Sequence, residues 1–294
     1  MAGSPRRTAV LIAGPTASGK SALALSLARE RGAVIVNADA LQVYSTLRII
    51  TARPSDDDLA LAPHRHYGTI SPARRYSTGD WARDIARIIA EEAGRALIFV
   101  GGTGLYFDTL RRGFADVPEV PPDIVAKIEA EIAPLDRDGR ARLIAARDPL
   151  IAARLNEPDP QRVTRALAVL AATGRSLASF QDEPQPPLLD GWHIETLVLN
   201  PDRDVLRDRI ARRYHSMLQN GAIAEVEALL ALGLDPSLPA MKAIGVPEIS
   251  AMLAGDLSAT EAVERAIIAT RQYAKRQRTW FRGRMADWTW VETN

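Results

Sequence analysis

Gly14-Pro15-Thr16-Ala17-Ser18-Gly19-Lys20-Ser21 satisfies the spacing G-x-x-x-x-G-K-[ST] at every fixed position. The glycines let the backbone curl so that its N–H groups point inward. A helix opening at Ser21 would add partial positive charge there. Lys20 brings a full charge to phosphate oxygens, and the Ser21 hydroxyl is a candidate ligand for Mg²⁺. The loop therefore reads as the seat of a di- or triphosphate. Its residues alone do not choose between the two.

Two further residues belong with it. Asp39 directly follows an apolar run, Ala33 to Val36, and Thr103 follows another, Ala96 to Val100. In an open α/β sheet, ligands bind outside the carboxyl ends of the strands, so both residues are expected across one crevice from the loop. Asp39 suits a Mg²⁺ ligand, a base for an acceptor, or a helix N-cap. Thr103 suits either a ligand contact or the hydroxyl of a Gly-rich turn.

The elements that must position these residues read as follows. Thr8 to Ala13, Ala33 to Val36, Ala96 to Val100 and Glu195 to Leu199 are short apolar runs, as expected of strands buried on both faces. Ser21 to Glu30 and Trp81 to Glu92 have helical character. Alternating strands and helices imply an α/β fold: a P-loop parallel sheet flanked by helices. From Val117 to about Gly174 only helical segments follow, broken by prolines. The expected organisation is a first part of the core over 1–115, a helical insert domain over 116–190, and a second part over 191–294 with a basic C-terminal helix. Trp288 to Val291 is expected to add a last short strand, and Pro63 to Tyr67 to be a loop.

Composition narrows the function classes. The chain has 294 residues and no cysteine, which excludes disulfides, Cys-ligated zinc and thiol catalysis. The N-terminus, Arg6-Arg7 and a short apolar stretch ended by Gly14-Pro15, is too brief for a signal peptide. No apolar run approaches the roughly 20 residues of a membrane span. The expectation is a cytoplasmic protein with no membrane partner. Net charge is only +1, so any affinity for nucleic acid needs a local patch. Arg271 to Arg284 supplies one: Arg271, Lys275, Arg278 and Arg282 recur at helical spacing, joined by Arg276, with Trp280 and Phe281 interleaved. His64 and His66, without a nearby acidic cluster, are a weak metal signal.

These residues together resemble the tRNA dimethylallyltransferase (tRNA isopentenyltransferase) family. The resemblance is carried by Gly14–Ser21 (GPTASGKS), Asp39–Tyr44 (DALQVY), Thr51–Pro54 (TARP), Gly101–Phe107 (GGTGLYF), Asp159–Arg165 (DPQRVTR) and Lys275–Arg282 (KRQRTWFR), in order over nearly the whole chain. It implies transfer of a dimethylallyl group from dimethylallyl diphosphate to the exocyclic N6 amine of the adenosine 3′-adjacent to the anticodon. It implies Mg²⁺ as cofactor and the tRNA anticodon stem-loop as partner. Asp39 would be the general base, Thr103 would contact the oxygen bridging prenyl and diphosphate, Lys20 would hold the diphosphate, and Arg213 would be a further diphosphate contact, with Arg209 and Arg212 close by. The residues expected to meet tRNA are Asp39, Ala40, Leu41 and Gln42; Gln161, Arg162 and Arg165; Met241, Lys242 and Gly245; and Lys275, Arg276, Arg278 and Arg282. Two departures stand out: Ala40 where the family commonly has Ser, and Ile50 where it often has Gly. A monomer is expected. Three other readings stay open at this point: a P-loop kinase of a small metabolite, a prenyltransferase acting on free adenine nucleotide, and a non-catalytic RNA-binding module.

Overall fold

A computed structural model of the chain describes residues 7–293; Arg6 lies outside them. The chain divides into two units, one of Met1–Arg111 with Leu189–Asn294, the other of Arg112–Leu188.

The first unit is built on a sheet. Strand β1 (Thr8–Ala13) leads through the glycine loop into helix α1 (Lys20–Arg31), which is followed by β2 (Val34–Asn37), α2 (Asp56–Leu61), β3 (His64–Arg65), α3 (Thr78–Glu91), β4 (Leu97–Gly101) and α4 (Gly104–Arg112). After the second unit the chain returns with β5 (His193–Leu199) and closes the sheet with β6 (Thr289–Val291). The strand order is β3-β2-β4-β1-β5-β6, and every pairing is parallel. The fold is thus α/β, a six-stranded parallel sheet flanked by helices.

The apolar runs are uninterrupted because the central strands are covered on both faces: β2 and β4 are buried throughout, and β1 from its second residue on. Helix α3 begins earlier than the spacing of its apolar residues indicates. Ser77 and Asp80 form a capping box that adds a turn before Trp81, and Trp81, Ile85, Ile88 and Ile89 line the buried face. Pro63 to Tyr67 is not the expected loop. His64 and Arg65 pair with Ile35 and Val36 as an edge strand, too short and too polar to show as an alternating pattern.

The remaining helices of this unit are α10 (Arg203–Gln219), α11 (Ala222–Leu230), α12 (Val246–Leu253) and the long α13 (Ala259–Arg284). They share a second apolar core with the segment after β2: Tyr44, Leu47 and Ile50 pack with Tyr214, Met217, Val226, Val246 and Ala266. The Glu225 carboxylate accepts the backbone N–H groups of Arg48, Ile49 and Ile50 at 2.7, 2.7 and 2.9 Å, which fixes that segment against α11.

The second unit is helical: α5 (Pro122–Ile132), α6 (Arg137–Arg147), α7 (Pro149–Ala152), α8 (Pro160–Thr173) and α9 (Leu177–Asp182). The prolines that break the sequence pattern open α5, α7 and α8, where their missing N–H costs nothing. Ile128, Ile144, Ile151, Val163, Leu167 and Val169 form its own core. Among the described residues of both units, no helix is long and apolar enough to cross a membrane.

Candidate functional site

The glycine loop takes the shape its sequence demands. Gly14 is buried where any Cβ would lie 2.6 Å from the Ser18 hydroxyl oxygen and 3.2 Å from the Leu199 carbonyl oxygen. Gly19 and Ala17 both have positive φ, 91° and 65°. The loop thus folds over the first turn of α1, and Lys20 is the first helical residue.

Lys20 is enclosed. Burial pulls its ammonium down from the ordinary lysine range to about 8, with Asp39 opposing that fall and Arg213 adding to it. A charge so short of solvent has a strong demand for an anion. Arg213, from α10, donates to the Thr16 hydroxyl of the loop and has its own pKa lowered by burial, against the pull of Asp39. Arg212 is exposed. Of the arginines competing for this role in sequence, Arg213 is the one the cavity includes.

The strand ends meet as the topology requires. β2 and β4 are neighbours, so the residues after them are tied directly. The Thr103 N–H donates to the Ala38 carbonyl at 3.2 Å, and the Ala40 N–H donates to the Thr103 hydroxyl at 2.9 Å. Asp39 is not a helix N-cap. Its Oδ1 accepts the Leu41 N–H at 3.0 Å in a local turn, while its own N–H donates to the Asn37 side chain at 2.9 Å. Tyr67, Tyr106 and Tyr273 lie within the field of this carboxylate; burial first, then the charge of Asp39, raises all three phenol pKa values. They remain neutral hydroxyls across the physiological range. Nothing in their local sequence marks them, because they come from three distant segments.

One cavity of about 100 Å³ joins the glycine loop, Asp39 and Arg213; Thr103 is not part of its lining but is bonded to Ala40, the residue after Asp39. Its polar lining includes Thr16, Lys20, Ser21, Asp39 and Arg213, and its apolar lining Leu41, Ile50, Ile210, Tyr214, Met217 and Ile244. Charge for an anion and a greasy wall thus share one enclosure.

The expected nucleic-acid residues scatter. Lys275, Arg276 and Arg282 are exposed on α13, as is Arg271, and Arg278 is half-buried. Burial lowers the Arg278 pKa, and Arg282 and Arg203 lower it further while Asp202 opposes them. The aromatic residues of that run do not belong to the exposed face. Phe281 is core, and the Trp280 ring lies on Gly104, where a Cβ would come within 2.1 Å of it. Lys242 is exposed, Met241 half-buried, and Gly245 buried against Ile50. Ala40, Leu41 and Gln42 are half-buried beside Asp39, and the Gln42 amide is spent on the Thr51 and Ala52 carbonyls. Gln161, Arg162 and Arg165 are exposed on α8 of the helical unit, Arg162 paired with Asp159.

His66 serves the scaffold. Buried, with its pKa lowered to about 4 by desolvation, it contacts the Tyr76 hydroxyl at 2.8 Å, and that hydroxyl donates to Asp84 at 2.7 Å. No group of three or more His, Cys, Asp or Glu able to hold a metal occurs among the described residues.

Comparison with known proteins identifies relatives of the whole chain. Residues 42–284 match the family described as IPP transferase. A tRNA dimethylallyltransferase of Chelativorans is 53% identical over 283 residues, covering 95% of this chain and 97% of its own. The full-length tRNA isopentenylpyrophosphate transferase of Bacillus halodurans superposes with a TM-score of 0.67 at 30% identity, covering 98% of this chain and 90% of that one. A eukaryotic dimethylallyltransferase captured acting on tRNA gives a TM-score of 0.80 at 26% identity, covering 97% and 74%. Matched by the family model over residues 42–284 and 53% identical to a relative over 95% of its length, this protein belongs to the IPP transferase family.

Proposed function

We infer that the protein transfers a dimethylallyl group from dimethylallyl diphosphate to the N6 amine of the adenosine 3′-adjacent to the anticodon of tRNA. The observation that carries this reading is the single cavity in which Lys20 and Arg213 meet an apolar wall beside Asp39. The wall suits an isoprenoid chain bonded directly to the anion, whereas the phosphoryl group a kinase transfers is polar throughout.

In this reading the diphosphate rests on the glycine loop, Gly14 to Ser21, held by Lys20 and Arg213. The five-carbon group lies against Ile50, Tyr214 and Met217. Ser21 brings a hard hydroxyl oxygen to the same cavity. One or two protein oxygens, with substrate phosphates completing the shell, are what Mg²⁺ ordinarily takes, so this residue fits the ion and leaves Asp39 free as the base. Bound there, the ion would supply charge neutralisation to the leaving diphosphate.

The chain's own groups account for the rest. A purine amine is a weak nucleophile, so the allylic carbon must develop cationic character as its bond to oxygen lengthens. Lys20 and Arg213 stabilise the charge that gathers on the departing diphosphate. The Thr103 hydroxyl accepts from Ala40, so its own proton is free to be donated to the bridging oxygen. As the N–C bond forms, the amine grows acidic and its proton passes to Asp39. The C–O bond breaks and diphosphate leaves.

The acceptor reading rests on the face of α13. Lys275, Arg276 and Arg282 are exposed, and Arg278 is crowded by Arg203 and Arg282. Such crowding is relieved by RNA phosphates. An amine in a single-stranded loop is the cheapest to extrude into the cavity. Such a reaction belongs in the cytoplasm, where tRNA is. Mass spectrometry of unmodified tRNA incubated with the protein, dimethylallyl diphosphate and Mg²⁺ tests the reading. The expected product is one prenylated adenosine beside the anticodon. Transfer of the γ-phosphate of ATP to a small metabolite, with tRNA unchanged, would overturn it.

A further inference from the structure

We propose that Gln277 is a positioning residue: its side-chain amide clamps the phosphate loop to the loop after β4, and so sets the distance between the leaving group and the Asp39–Thr103 pair. As a role in catalysis this rests on the transfer reading above; as a clamp it does not.

Gln277 lies on α13 in the middle of the basic run, yet it is only 5% exposed. Its Oε1 accepts the Thr16 N–H at 2.9 Å, and its Nε2 donates to the Gly102 carbonyl at 3.0 Å. The two partners dictate the orientation of the amide, because one is a donor and the other an acceptor. They are far apart in sequence, on the loops after β1 and β4. A neutral side chain of this length with both functions is needed to join them, and a carboxylate or an ammonium supplies only one.

The surroundings are shaped to this amide. Gly102 has no room for a side chain: a Cβ there would stand 2.1 Å from Gln277 Nε2 and 3.4 Å from Asp39 Oδ2. Gln277 therefore touches the loop at a point directly beside the proposed base. Thr16 is gripped twice, through its N–H by Gln277 and through its hydroxyl by Arg213. Thr103, the next residue after Gly102, is tied to Ala38 and Ala40. The chain of contacts runs from Arg213 and Thr16 through Gln277 and Gly102 to Thr103, Ala40 and Asp39. Without the amide, the donor half and the acceptor half of the site are each intact but no longer braced at this point.

That separation predicts a distinctive phenotype. Gln277→Met keeps the length and shape but loses both of these hydrogen bonds, together with the one its amide makes to the Tyr273 hydroxyl. It should lower kcat by roughly 10- to 100-fold, the scale of a misplacement near 1 Å, while the Kd for dimethylallyl diphosphate and for an anticodon stem-loop RNA each change by less than about threefold. Gln277→Glu retains the acceptor for Thr16. Its activity should recover toward low pH, where the protonated carboxyl can again donate to Gly102. A residue that merely stabilises the fold would lower the melting temperature without this split or this pH profile.

Amide hydrogen exchange on the full-length, substrate-free protein gives a readout that does not depend on turnover. The Thr16 amide should exchange at least tenfold faster in Gln277→Met than in wild type, remain protected in Gln277→Glu, and leave the amides of β1 unchanged. Unchanged Thr16 exchange overturns the clamp, as does a fall in both affinities matching the fall in kcat. Accelerated Thr16 exchange in Gln277→Met, with a wild type that prenylates no RNA, would leave the clamp standing and remove the transfer reading instead. If Gln277→Met does not fold, the pH profile of Gln277→Glu carries the comparison, and activity that does not recover toward low pH relative to wild type overturns the clamp.

Discussion

The Thr103 hydroxyl accepts the Ala40 amide at 2.9 Å, which fastens the loop after β4 to the loop that carries Asp39. The Asp39 carboxylate in turn holds its own loop by accepting the Leu41 N–H through Oδ1. Asp39 thus has a structural bond on one oxygen and chemistry available on the other. Removing the whole side chain would confound the two.

Asp39→Asn separates them. The asparagine carbonyl can still accept from Leu41, so the turn survives, but the group is no longer a base. We expect kcat to fall by a factor of at least about 10², the low end of general-base contributions, with RNA affinity nearly unchanged. Asp39→Ala should lose activity and also loosen the turn. Single-turnover kinetics and RNA binding on both variants check this; an Asn variant within tenfold of wild type would remove Asp39 from the role of base.

How much of this was legible beforehand depends on how local each signal is. The glycine loop is a contiguous pattern lying between a strand and a helix, and it folds as its residues dictate. Asp39 and Thr103 were legible one step further out. Parallel topology sends the ends of β2 and β4 to the same edge, whatever their side chains. Arg213 was not separable from Arg209 and Arg212, because α10 is rich in charge all round and its buried face, Leu206, Ile210, Tyr214 and Met217, is sparse. Gln277 was hidden in a run of cations that reads as a solvated face. Phe281 was misread with it, since an aromatic beside arginines has the same local pattern whether it faces RNA or the core. Tyr67, Tyr106 and Tyr273 come under the charge of Asp39 only in three dimensions.

The exposed cations of α13 make a quantitative prediction. Each phosphate contact releases counterions, so the slope of log affinity against log salt counts the contacts. Replacing Lys275 and Arg278 together by Ala should weaken tRNA binding and reduce that slope by about 2, roughly one per residue. Donor affinity should not change, because neither residue lines the cavity. Filter binding or fluorescence anisotropy over a range of KCl concentrations measures the slope. An unaltered slope would assign these cations to a solvated helix face.

Lys20 links the site to pH in two opposite ways. Its ammonium titrates at about 8 in the folded protein, below the ordinary value of 10.5. Between those values the unfolded chain holds a proton that the folded chain lacks. Raising the pH from 8 to 10.5 therefore stabilises the empty protein on this group's account. Diphosphate binding runs the other way, because the anion needs the charged lysine. Affinity should be full below pH 8 and should fall above it, by up to about tenfold per pH unit from this group alone, with a proton taken up on binding. Calorimetry at pH 7 and pH 9, in buffers of different ionisation enthalpy, reports both. Lys20→Arg, which stays charged, should bind without that proton uptake and so separates the lysine from titration of the diphosphate itself. If the wild type took up no more protons than Lys20→Arg and kept its affinity at pH 9, Lys20 would not be the group that meets the anion.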